Sequence, residues 1–68
     1  MKIIHCARVI YPDERSGPTY QGLYISEILR EIEEDEGLDE GSLEDESDAS
    51  FHFGEHHNAF IEFFEVNA

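Results

Sequence analysis

The sequence predicts an α+β domain, a small antiparallel sheet with one helix packed across it, in the order β-β-α-β-β. Three observations predict it. Residues 2–11 (KIIHCARVIY) and 59–66 (AFIEFFEV) are dominated by β-branched and aromatic residues, the composition of strands. Ile25, Ile28, Leu29 and Ile32 recur at spacings of three and four, the period of one helix face. Segments of turn chemistry separate these runs.

Taken in order, residues 2–11 show no clearly polar face, which predicts a strand covered on both sides. PDERSGP at 12–18 combines two prolines and a glycine, so the chain reverses there. Residues 19–25 (TYQGLYI) then read as a second strand paired with the first. Ser26 has the hydroxyl of a helix N-cap, and a helix is expected from Glu27 to about Glu36, with Glu27, Glu31 and Glu34 opposite the apolar face. GLDEGSLEDESDAS at 37–50 is polar and glycine-containing and reads as a loop with the composition of a mobile segment. FHF at 51–53 resumes alternation, GEHHN supplies a turn, and 59–66 completes a second hairpin. One domain over residues 1–68 is expected, because so short a chain buries only about 60% of its unfolded surface and makes one thin core.

The charge balance restricts function. Seventeen Asp and Glu stand against four Lys and Arg, a formal net charge of −13. Nucleic acid and anionic membrane are excluded as direct partners by repulsion. No apolar run approaches the roughly 20 residues of a membrane span, no secretion signal is evident, and the single cysteine, Cys6, forms no internal disulfide. The expectation is a cytoplasmic protein.

Eleven of the eighteen residues from Glu31 to Asp48 are Asp or Glu, and none is Lys, Arg or His. Glu33, Glu34, Asp35 and Glu36 close the helix, where the backbone dipole disfavours anions by about 0.3–1 kcal/mol each at low salt. Such local conflict is concentrated at functional surfaces. Carboxylates on successive turns stand about 5–6 Å apart, comparable with neighbouring phosphates along a nucleic-acid strand. Tyr11, Tyr20 and Tyr24 are candidates for contacts at the rim. Two plainer readings compete: a solvated helix face with no partner, and adaptation to high salt, which would spread the acids over the whole chain instead of this one tract.

A very short acidic chain carrying EIEEDEGLDEGSLEDESD resembles the phage-encoded inhibitors that mimic DNA, of anti-CRISPR and anti-restriction type. The resemblance rests on size, charge and this tract; there is no diagnostic motif. It implies an inhibitor that enters the DNA-binding channel of a host defence complex, a CRISPR effector or nuclease, in the host cytoplasm. Glu27, Glu31, Glu34, Asp35, Asp39, Glu40, Glu44, Asp45 and Glu46 would stand in for phosphates, and the partner would be a basic DNA-binding protein or ribonucleoprotein. The alternatives are an adaptor that docks a basic partner without mimicry, and a small metal-binding protein using His52, His56 and His57.

His5 and Cys6 add ligand types, but paired Cys or His motifs of structural zinc sites are missing, and FHFGEHHN reads more simply as a polar hairpin turn. No metal or other cofactor is assigned. The calcium-loop pattern is absent. Adjacent strand residues His5 and Cys6 point to opposite faces and make no dyad, and no catalytic motif occurs, so the chain reads as a non-enzyme. Phe60 with Phe64 and Ile61 with Phe63 fall on opposite strand faces, and a homodimer through the sheet would cover the outer set.

Overall fold

The computed structural model describes residues 2–13 and 15–68. Strands β1 (Ile3–Ile10) and β2 (Ser16–Gly22) are followed by helices α1 (Ile25–Glu36) and α2 (Glu46–His57), and then by strand β3 (Phe60–Asn67). Both strand pairs are antiparallel and the sheet order is β2-β1-β3. The α+β class is as expected, but the element order is β-β-α-α-β, with two helices and three strands.

The first hairpin forms with different bounds. Arg8 pairs with Thr19 and Ile10 with Ser16, so β2 carries one extra residue and bulges. Pro18 is tolerated there because β2 is an edge strand and its missing N–H takes no ladder bond. The Tyr11 N–H donates to the Arg15 carbonyl (3.1 Å) and closes the turn; Glu14, within it, lies outside the described residues. β2 ends at Gly22 because the Glu27 carboxylate accepts from the N–H groups of Leu23 (2.8 Å) and Tyr24 (3.0 Å). Tyr24 therefore holds the N-cap position, and Ser26 lies inside the first turn of α1.

At its other end α1 stops at Gly37, whose φ of 69° is left-handed, a region that glycine enters at no steric cost. Leu38 N–H returns to the Glu33 carbonyl at 2.8 Å, and the Leu38 side chain packs against the core.

The largest departure from expectation is α2. Residues 46–50, expected as loop, FHF, expected as strand, and most of GEHHN, expected as turn, form one continuous helix, so there is no second hairpin. Its start is fixed locally: the Asp45 carboxylate accepts from Asp48 N–H (3.0 Å), and Asp48 accepts from Glu44 N–H (2.8 Å). Its buried positions are Ala49 and Phe53, an i,i+4 pair, while Phe51 is 70% exposed. The apparent alternation of Phe51 and Phe53 is thus one core residue beside one surface residue. Asn58 ends the helix in the left-handed conformation and turns the chain into β3.

The core lies between the two helices and one sheet face. Ala7, Val9 and Tyr20 from the sheet meet Ile28, Leu29 and Ile32 of α1, Ala49 and Phe53 of α2, and Leu43 from the connection. Each fully buried large side chain contributes about 1.5–3 kcal/mol, and burial of the α1 stripe is what orients its opposite face to solvent. On the other sheet face, Phe60, Phe64 and Val66 stand exposed beside Ile4, Cys6 and Ile10. Arg8 and Glu62 form an ion pair there (2.7 Å), with the Arg8 guanidinium over the Phe64 ring. Among the described residues no helix is long and apolar enough to cross a membrane.

Candidate functional site

All nine carboxylates expected to contact a partner are exposed. Three of them also bond within the fold. Glu27 caps α1 and Asp45 caps α2, as described, and Glu40 pairs with Arg30 at 3.6 Å. Glu31 and Glu34 lie on the solvent side of α1, opposite its buried stripe, and Asp35 flanks them. Asp39 and Glu44 belong to the connection between the helices, and Glu46 to the first turn of α2. Among the described residues none of these six is in an ion pair. Glu46 sits at a helix N-terminus, where the dipole favours it, and Glu34 and Asp35 at a C-terminus, where it does not.

The acidic tract holds no base of its own to compensate it. In the fold, compensation arrives from elsewhere. Glu33 is 4% exposed and accepts from Gly41 N–H (3.1 Å) and Leu43 N–H (2.8 Å), one oxygen to each. It ties the connection to α1 and delivers Leu43 to the core. The Ser42 N–H and hydroxyl both donate to the Asp39 carbonyl, at 3.1 and 2.6 Å.

Glu36, the last residue of α1, does the same for the far end of α2. Its Oε1 lies 2.7 Å from His52 Nε2 and 2.6 Å from His57 Nε2. Burial alone would raise the Glu36 carboxyl, but the bonds from His57 and His52 outweigh it and hold the group below its ordinary value. The His56 ring is 4.5 Å from that of His52, and Phe53 and Tyr11 pack against His57. The three histidines are not in a hairpin turn but in the last turns of a helix. His52 and His57 converge on Glu36, a residue that the sequence marks only as one more member of the acid run.

No family model, curated protein or solved structure matches this chain.

The remaining candidates separate clearly in space. Tyr20, expected at a rim, is core: its hydroxyl is buried with no protein hydrogen-bond partner among the described residues. Burial pushes its phenol above the usual tyrosine range, and the nearby Asp35 carboxylate adds to the effect. Tyr24 remains exposed, and Tyr11 is partly covered under Arg15. His5 points toward Glu65 (3.5 Å) and is partly covered, while Cys6 pairs across the other sheet face with Gln21 and Phe64. The Glu36–His52–His57 cluster could be found from sequence only after assigning a helix to 46–57, since that is what carries His52 and His57 to one carboxylate.

Proposed function

We propose that this protein is an inhibitor that presents a DNA-like acidic surface to a nucleic-acid-binding host defence complex, a CRISPR effector or a nuclease, and blocks its DNA binding. The observation that carries the reading is the division of labour among the carboxylates. Glu33 and Glu36 turn inward onto protein partners, whereas Glu31, Glu34, Asp35, Asp39, Glu44 and Glu46 are exposed and in no ion pair among the described residues. A fold that can satisfy acids internally leaves these outward on α1, the connection and the start of α2. Their mutual repulsion is relieved when a cationic groove covers them, and long-range attraction makes the encounter fast and salt-dependent.

The experiment is competition. The protein should bind such a complex and be displaced by duplex DNA. Replacing Glu31 and Glu34 with Gln and Asp35 with Asn removes three charges, which should lower the slope of log affinity against log salt by about 2–3. Binding that ignores both DNA and these substitutions overturns the reading.

Arg30 favours a second reading. It lies among Glu27, Glu31, Glu34 and Glu40, and a nucleic-acid backbone has no cation at such a place. An adaptor docking a basic protein that also carries one acid uses Arg30 directly. Arg30→Gln strengthens binding under mimicry and weakens it for an adaptor.

The homodimer belongs to the same proposal. Outward positions of the three strands carry only Arg8 and Glu62 as charges, already paired. This is the neutral side of a molecule of net charge −13. A second copy packed there covers Phe60 and Phe64 without meeting like charge, and keeps both acidic faces outward.

A further inference from the structure

We propose that Glu36, His52 and His57 form a binding site for a divalent transition-metal ion of the zinc type, a property separate from the acidic face. Three donor atoms from two helices, one carboxylate oxygen and two imidazole nitrogens, lie within 4.8 Å of one another. The side chains of His52, Glu36 and His57 are 11%, 18% and 36% exposed. The site is therefore closed on the His52 side and open beside His57, so a water molecule can take a fourth position.

Chemistry of the donors selects the ion. Imidazole nitrogen with one carboxylate suits zinc, copper or nickel, whereas magnesium and calcium take oxygen ligands almost alone. Two histidines and one glutamate with an open position is the donor set of a zinc ion that keeps an exchangeable ligand. Zinc bonds of about 2.0–2.2 Å in a tetrahedral arrangement separate the ligand atoms by roughly 3.3 Å. The present nitrogen–oxygen distances are 2.7 and 2.6 Å. Withdrawal of the Glu36 oxygen by about 0.6–0.7 Å from each ring, within the reach of small side-chain rotations, makes room for the ion between them.

The surroundings support the ion. Phe53 lies against both His52 and His57, with ring centroids at 5.5 and 5.6 Å, and Tyr11 meets His57 edge-on at 6.4 Å. These rings hold the imidazoles in place and limit water on one side. Among the described residues no Lys or Arg pairs with Glu36, and the net charge of −13 draws cations to the molecule. A bound ion would link the end of α1 to the last turns of α2, locking the helix pair that bears the exposed carboxylates.

The test is a zinc titration of chelator-stripped protein by calorimetry at neutral pH, in excess magnesium to occupy unspecific carboxylate sites. The expected result is one ion per chain with Kd of about 1 µM or tighter, and a thermal midpoint raised by about 10 °C or more at saturation. Cobalt(II) should give the intense visible absorption of a tetrahedral site. Glu36→Gln and His57→Gln, checked for folding by circular dichroism, should each weaken zinc at least tenfold, and His56→Ala should leave it within about threefold. Absence of stoichiometric zinc binding in magnesium, or zinc affinity undiminished from the native chain in Glu36→Gln and His57→Gln, overturns the proposal.

Discussion

Replacing Glu33 with Ala should destabilise the protein even though the chain carries far more acid than base. The carboxylate is almost fully buried and accepts two backbone N–H bonds, from Gly41 and Leu43. Charged hydrogen bonds contribute about 1.5–3 kcal/mol each, giving about 3–6 kcal/mol for the pair. Two effects reduce this. The freed N–H of Gly41, an exposed residue, can turn to water although that of buried Leu43 cannot, and removing one charge relieves repulsion with its helix neighbours by a few tenths of a kcal/mol per pair. The expected loss is about 2–4 kcal/mol. A domain of this length has roughly 3–10 kcal/mol in total, so the variant should lose a large share of its stability. Glu34→Ala is the control: one residue along, exposed and without an ion-pair partner among the described residues, it should be neutral or stabilising by up to about 0.5 kcal/mol. Urea unfolding followed by circular dichroism measures both. Equal midpoints for Glu33→Ala and Glu34→Ala would refute the claim that Glu33 holds the connection between the helices.

Tyr20 and the exposed sheet face supply two more tests. The folded protein holds the Tyr20 phenol above its ordinary value of 10.0, so its contribution is fully present below about pH 10 and is lost as pH rises beyond it, because the unfolded chain releases that proton first. Tyr20→Phe should remove this alkaline loss and be neutral or stabilising by about 1 kcal/mol at pH 7; thermal melts at pH 7 and above 10 check it, and a large cost at pH 7 would mean the hydroxyl is bonded, to Asp35. Sedimentation should find a dimer for the native chain and a folded monomer for the double variant Phe60→Glu with Phe64→Glu, since four new carboxylates would face one another across the proposed interface; a native monomer at about 100 µM, a concentration that saturates even a micromolar dimer, sinks the dimer.

How far the sequence can be read depends on whether an element carries its own pattern. The first strand and α1 do: the apolar composition of residues 2–11 and the spacing of Ile25, Ile28, Leu29 and Ile32 survive in β1 and in the buried stripe of the helix. α2 does not, because a helix resting on the core through Ala49 and Phe53 alone has almost no apolar period, and Gly54 with three histidines imitates a turn. Its capping signal, Asp45 with Asp48, is present but hidden in a run crowded with acids. The nine candidate carboxylates are surface residues, as their charge alone suggests, but their different roles are not legible in the chain.

By itself, then, the sequence determined an acidic molecule with no internal disulfide, a strand-rich start and end, and one amphipathic helix. Composition and short-range periodicity are local quantities, and these features depend on nothing else. Tertiary structure alone decided which acids are turned inside the fold. Glu33 and Glu36 belong to the same run as Glu34 and Asp35, yet a helix has an inner and an outer side, and only the inner side meets the backbone of residues 41–43 and the rings of His52 and His57. A carboxylate's neighbours ten or twenty residues away determine whether it is a structural ligand or a free surface charge, and those neighbours exist only once the chain has folded.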